Sequence, residues 1–92
     1  MPSPAKHAHP VARTARAILA ENMVRLRREK AWSQEQLGFE AGLHRTFIAH
    51  VERQYRNLSL DSLERIAVAL RVQPYELLVP PAEKISSGAS PL

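Results

Sequence analysis

The segment 44–53 concentrates side chains that can donate hydrogen bonds. At about 100° per residue, a helix over this segment directs Ile48 and Val51 to one side. The other side carries Arg45, Thr46, Ala49, His50 and Arg53, which are four potential donors and one small residue. Glu52, the only acid in the segment, falls at the boundary between the two sides. A helix face with donors and no acid suits a partner rich in hydrogen-bond acceptors.

The residues before this segment predict a second helix and a tight turn. Ser33 followed by Gln36 fits a capping box and places a short helix over 34–41. Gly42 stands where a residue in the left-handed conformation would end that helix. Two helices joined by such a turn form a helix-turn-helix, in which the second helix enters the major groove of duplex DNA.

Three further helices are predicted around this pair, over 14–30, over 60–70 with Ser59 as N-cap, and over 74–78 with Pro74 at its first position. Apolar residues spaced by three and four give the fourth helix one apolar face, made of Leu60, Leu63, Ile66, Ala67 and Leu70. The predicted core comprises Leu19, Met23, Leu26, Trp32, Leu37, Leu43, Ile48, Val51, Leu63, Ile66, Leu70 and Leu77. The fold class is therefore all-α, a compact five-helix domain without alternating strand patterns.

Composition limits the classes of protein that this chain can represent. Its 92 residues suffice for one small domain, and the absence of cysteine excludes disulfides and thiolate metal sites. The net charge of +4 favours a polyanionic partner. Proline and small polar residues predict flexible tails over 1–13 and 80–92 around a domain over 14–79. Residues 1–20 lack acids, as a transit peptide would, but a short tail leading into a helix is the preferred interpretation.

Residues 19–78 resemble the five-helix DNA-binding domain of the lambda/434 repressor class, also called the XRE family. The matching residues are Arg27, Ser33-Gln34-Glu35-Gln36-Leu37, Ala41-Gly42-Leu43, Ile48, Val51-Glu52-Arg53, Leu63, Ile66-Ala67, Ala69-Leu70 and Leu77-Leu78. Residues 43–48 and 52–58 are similar to the subgroup that includes restriction–modification controller proteins, and the same residues also occur in stand-alone bacterial repressors. Two residues depart from that pattern. Gln54 replaces a common glycine, and Phe47 lacks the hydroxyl of the tyrosine that is frequent there, so any hydrogen bond made by that hydroxyl is lost.

The resemblance and the side-chain chemistry together imply a role for each exposed residue. Base reading is expected from Arg45, Thr46, Ala49 and His50, with Arg45 foremost because arginine pairs bidentately with guanine. Contacts with the DNA backbone are expected from Gln34, His44, Phe47, Arg53, Arg56 and Asn57, with Arg28 and Lys30 as weaker candidates. Arg27 and Glu52 are expected to form a structural ion pair between the first and third helices. A dimer contact is expected from Val72, Tyr75, Leu78 and Val79, which alternatively only close the core.

These inferences predict a sequence-specific transcriptional regulator that binds double-stranded DNA as a homodimer on a roughly palindromic operator. We expect a bacterial, cytoplasmic protein that is associated with the nucleoid when bound, with no cofactor, no metal, no small-molecule ligand and no membrane span. No HExxH, paired-carboxylate or serine-nucleophile pattern indicates an enzyme. An antitoxin-type protein-interaction module is the alternative, although the tails lack an apolar stripe for docking. Single-stranded RNA binding would need exposed stacking aromatics, and aromatic residues are 5% of the chain.

Overall fold

The computed structural model describes residues 13–81, which form four α-helices and a final 3₁₀ helix. The α-helices are α1 (Ala15–Glu29), α2 (Gln34–Ala41), α3 (Arg45–Glu52) and α4 (Leu60–Leu70), and the 3₁₀ helix spans Pro74–Leu78. None of the described residues forms a strand, so the all-α class is confirmed. No helix within this range is long and apolar enough to cross a membrane. The predicted tails 1–13 and 80–92 lie outside the described residues except at their inner ends.

The count of five α-helices was wrong at the last element. Residues Pro74–Leu78 form a 3₁₀ helix, in which the Glu76 amide donates to the Gln73 carbonyl at 2.9 Å, three residues back. The Glu76 carboxylate in turn accepts from the Gln73 amide at 2.9 Å. Five residues that begin with proline are too few for a ladder of i to i−4 bonds, so the tighter helix forms.

Side-chain caps fix where the four α-helices begin. The hydroxyls of Thr14, Ser33 and Ser59 each accept a hydrogen bond of 3.0 Å from an amide in the first turn. Gly42 ends α2 in the left-handed conformation, with φ of 71°. At Gly38 a Cβ atom would lie 2.5 Å from the Leu43 carbonyl oxygen, so only glycine lets the turn pack this closely on α2.

The helices enclose one apolar core, and the predicted core is confirmed. Nine of its twelve residues are buried, and Leu26, Trp32 and Leu43 pack partly buried against them. Leu60 belongs to the apolar face of α4 but not to the predicted core, and it is 76% exposed. As the first residue of α4, it lies at the end of the apolar face.

Asn22 is a buried polar residue that joins α1 to the 3₁₀ helix. Its side chain is 0% exposed, and its amide donates to the carbonyls of Leu77 at 2.8 Å and Val79 at 2.9 Å. Its oxygen accepts from the Arg25 guanidinium at 3.0 Å. Carbonyls at the end of a helix lack partners within it, so Asn22 fixes the end of the 3₁₀ helix against α1.

Candidate nucleic-acid interface

The exposed side of α3 lines a shallow concavity with the start of α2. We call it the recognition concavity; it has a volume of about 380 Å³ and is lined by Ser33, Gln34, Glu35, Arg45, Thr46, Ala49, His50 and Arg53. All four expected base readers lie here, together with two expected backbone contacts. On the opposite side of α3, Ile48 and Val51 are 0% exposed. The core therefore fixes the orientation of the residues that line the concavity.

His44 caps α3 and leaves one ring nitrogen to donate outward. Its Nδ1 atom accepts a hydrogen bond of 3.0 Å from the amide of Thr46. An imidazole nitrogen that accepts carries no proton, so the proton of the neutral ring resides on Nε2. The His44 side chain is exposed, so Nε2 can donate to an acceptor such as a phosphate oxygen beside the start of α3.

A buried ion pair connects α1 to the end of α3. The Arg27 Nε and Nη2 atoms donate to the two carboxylate oxygens of Glu52 at 2.8 Å and 2.9 Å. The two side chains are only 11% and 5% exposed. The Arg27 Nη1 atom also donates to the Trp32 carbonyl at 2.9 Å. The hydrogen bond with Glu52 raises the pKa of Arg27 above its already high ordinary value, so the Arg27 guanidinium stays charged.

The same carboxylate also holds Gln34, the first residue of α2. The Gln34 Nε2 atom donates to Glu52 Oε1 at 2.9 Å. An amide nitrogen has two hydrogens, so the second one stays available for an outside acceptor. Glu52 thus fixes the direction of a side chain at the positive end of a helix, where anions bind favourably.

The loop after α3 carries the remaining expected backbone contacts. Arg56 and Asn57 are exposed, and the Asn57 side-chain oxygen accepts a hydrogen bond from Arg16. The Arg56 guanidinium lies 5.3 Å from the centre of the Phe47 ring. Phe47 is half-buried against the core, so its ring supports Arg56 and has no polar atom of its own to offer a phosphate.

Gln54 in this loop has a left-handed backbone. Its φ is 65°, and it follows the last turn of α3. The Gln54 amide donates to the Val51 carbonyl at 2.9 Å, and the Tyr55 amide donates to the His50 carbonyl at 2.8 Å. This pair of bonds is the Schellman motif, which favours glycine at the left-handed residue. The left-handed conformation of Gln54 explains why glycine is common at this position in the proteins that the sequence resembles.

Glu35 is a residue of this site that the sequence analysis did not single out. It lies in the first turn of α2, and its Oε1 atom is 3.5 Å from the Arg45 Nη1 atom. Sequence periodicity describes one helix at a time, so it gave no sign that a residue of α2 would face the expected base reader on α3.

An apolar surface lies near the 3₁₀ helix. Of the four expected dimer residues, Tyr75 is 67% and Leu78 41% exposed, while Val72 and Val79 are half-buried. Beside Leu78 is a groove of about 510 Å³, which we call the Leu78 groove. Its apolar lining comes from Ala15, Leu19, Leu58, Leu60, Leu63 and Leu78.

Comparison with known proteins decides the family. A family model described as helix-turn-helix matches residues 24–77. This chain belongs to the helix-turn-helix family. The likeness to XRE-type regulators, and to controller proteins among them, is thereby confirmed.

Relatives of this helix-turn-helix protein are named as regulators rather than as enzymes. A hypothetical transcription factor of Neisseria meningitidis is 47% identical over 70 residues, which are 76% of this chain and 66% of that protein, so this chain spans just under two thirds of its length. The control protein C.BamHI of Bacillus amyloliquefaciens is 47% identical over 64 residues, covering 68% of this chain and 79% of that one. The restriction–modification controller C.Esp1396I, solved as a tetramer with its natural 35 base-pair operator, is 33% identical with a TM-score of 0.65 and covers 73% and 92% of the two chains.

Proposed function

We propose that this helix-turn-helix protein is a sequence-specific regulator that places α3 in the major groove of duplex DNA. The observation that carries the proposal is the recognition concavity. It gathers the donors of α3 beside the N-terminus of α2, and the core holds the opposite side of α3. In the major groove, Arg45, Thr46, Ala49 and His50 face base edges, while Gln34, His44, Arg53, Arg56 and Asn57 face the two phosphate backbones.

The regulator acts, in this proposal, as a homodimer on a roughly palindromic operator. One recognition helix covers only a few base pairs, and two copies related by a two-fold axis read half-sites roughly 34 Å apart. Tyr75, Leu78 and the half-buried Val72 and Val79 provide an apolar contact surface. We add Leu60 to them, because it is 76% exposed and lines the Leu78 groove together with Leu78.

The biological role that the relatives favour is control of a restriction–modification operon in a bacterial cytoplasm. Several controller proteins are among the similar proteins, and one of them was solved on its operator. The domain that carries this function spans 14–79, and the protein acts without a cofactor. A restriction enzyme gene beside this one supports the role, whereas a neighbouring toxin gene would instead favour an antitoxin.

The decisive experiment is selection of bound duplexes from a random pool, followed by sequencing. We expect one enriched motif with two-fold symmetry and half-site centres about one helical turn apart. A pool without enrichment would refute sequence-specific binding. An enriched motif without symmetry would refute the homodimer and leave the recognition helix in place.

A further inference from the structure

Glu35 stands out among the residues of the recognition concavity because it is the one acid that lines it. The other nearby carboxylate, Glu52, is 5% exposed and already bonded to Arg27 and Gln34. The side chain of Glu35 is 73% exposed, and no basic residue of α2 balances it. A carboxylate on a surface that contacts DNA repels phosphates and so lowers affinity for DNA of any sequence.

Its neighbour is the residue expected to read a base. Arg45 is the first residue of α3, its side chain is 64% exposed, and its Nη1 atom is 3.5 Å from Glu35 Oε1. We propose that Glu35 is a specificity-determining residue, which positions the Arg45 guanidinium for a base edge and disfavours its use on a phosphate. This inference rests on the proposed function, since it concerns how the same concavity discriminates between sequences.

Glu35 first acts by orienting the Arg45 guanidinium. A free arginine has many rotamers and five donors, so it can reach a base or a phosphate in several ways. Glu35 holds the Nη1 side of the guanidinium and leaves the Nε and Nη2 donors for the two acceptors of guanine, N7 and O6. The pair is exposed in the free protein and contributes little there, but water is excluded when α3 enters the groove and the attraction becomes stronger.

Glu35 also acts by repelling phosphates. Binding to arbitrary DNA depends mainly on cations that neutralise phosphates. Glu35 opposes that contribution at the place where Arg45 would otherwise supply it. Discrimination between sequences is a difference of affinities, and it rises when binding to the wrong sequence is weakened. Glu35 therefore lowers affinity for random DNA more than affinity for the operator.

The chain offers a matched control in Glu40. It is also exposed and also on α2, and its carboxylate accepts from Gln36 Nε2 at 2.9 Å, outside the recognition concavity. Glu35→Ala and Glu40→Ala change the net charge equally. Neither exposed residue contributes to the core, so we expect urea melts of both variants to stay within about 1 kcal/mol of the wild type, the size of a charge effect at a helix end.

The experiment measures dissociation constants for three duplexes at several salt concentrations. These are the duplex selected by the wild type, the same duplex altered at the base pair whose preference Arg45→Ala abolishes, and a random duplex. We expect Glu40→Ala to change binding to all three by the same factor. We expect Glu35→Ala to lower discrimination at the Arg45 base pair by about 3- to 10-fold and to tighten binding to the random duplex. In an Arg45→Ala background, Glu35→Ala should leave discrimination at that base pair unchanged.

Three results would overturn the inference. One is a Glu35→Ala variant that shifts all duplexes alike, as Glu40→Ala does. Another is loss of preference at a different base pair, which would make Glu35 a direct reader of cytosine N4. The third is a wild type that binds all duplexes equally, which would refute the proposed function as well. In the first two results the wild type still discriminates, so the proposed function survives them.

Discussion

At the scale of single residues, the proposed function divides side chains that face DNA bases from side chains that face the DNA backbone. Arg45 lies inside the recognition concavity, whereas Arg56 lies in the loop after α3 and rests on the Phe47 ring. The same type of side chain is thus held in two different places. Position therefore decides whether an arginine contributes specificity or only affinity.

Replacement of each arginine by alanine tests that division. Arg45→Ala should relax the preference at one base pair and cost about 1–3 kcal/mol on the selected duplex, because it removes a bidentate contact. Arg56→Ala should weaken binding to every duplex about equally and lower the salt slope by about 1, because it removes one phosphate contact. Titrations with selected and random duplexes at several salt concentrations measure both effects. If the two variants behave alike, the assignment of roles is wrong.

Glu52 both stabilises the fold and positions a side chain of the recognition concavity. It neutralises the buried Arg27 and holds Gln34 at the start of α2. Glu52→Ala leaves the Arg27 charge without its partner, and we expect a loss of roughly 3–5 kcal/mol of unfolding free energy in urea melts. Glu29→Ala is the control, since the carboxylate of Glu29 is 60% exposed in its pair with Arg25 and its loss should cost under about 1 kcal/mol. Equal effects of the two substitutions would contradict a desolvated Arg27–Glu52 pair.

At the scale of helices, cap residues made the sequence informative about boundaries. Ser33 and Gly42 gave the bounds of α2, and Ser59 gave the start of α4, because each acts on the backbone within a few residues. Leu60, Asn22 and Glu35 could not be placed this way. Their environments depend on which other element lies against them, and the spacing of residues along one helix does not contain that information.

The left-handed residue after α3 gives a prediction at this scale. Gln54 has φ of 65°, where an L side chain is strained and glycine is not. Gln54→Gly should therefore raise the free energy of unfolding by up to about 1 kcal/mol, as measured in urea. Gln36→Gly, in the first turn of α2, should lower it by about 1 kcal/mol, because glycine weakens a helix and the hydrogen bond from Gln36 to Glu40 is lost. A loss of stability in both variants would show that the Gln54 side chain makes a contact worth more than the strain.

At the scale of the whole molecule, the two proposed surfaces have to act together. In the proposed homodimer, the recognition concavity makes one half-site contact, and the apolar surface around Leu78 sets the distance between two such contacts. The Asn22 side chain holds the proposed dimer surface against the rest of the domain, because it anchors Leu77 and Val79 to α1. A fixed half-site spacing requires that the proposed dimer surface be rigidly attached to the recognition concavity.

Two equally exposed residues of α4 separate dimerisation from folding. Leu60 and Val68 are each 76% exposed, but only Leu60 lines the Leu78 groove. Leu60→Asp should convert the dimer to monomer in light scattering at micromolar concentration, because it places a charge in an apolar contact. It should also weaken operator binding at least 10-fold, since the second half-site contact is no longer linked to the first. Val68→Asp changes the charge equally and should alter neither measurement. A Leu60→Asp variant that stays dimeric would show that the contact between subunits lies elsewhere. A wild type that is monomeric with and without its selected duplex would refute the homodimer.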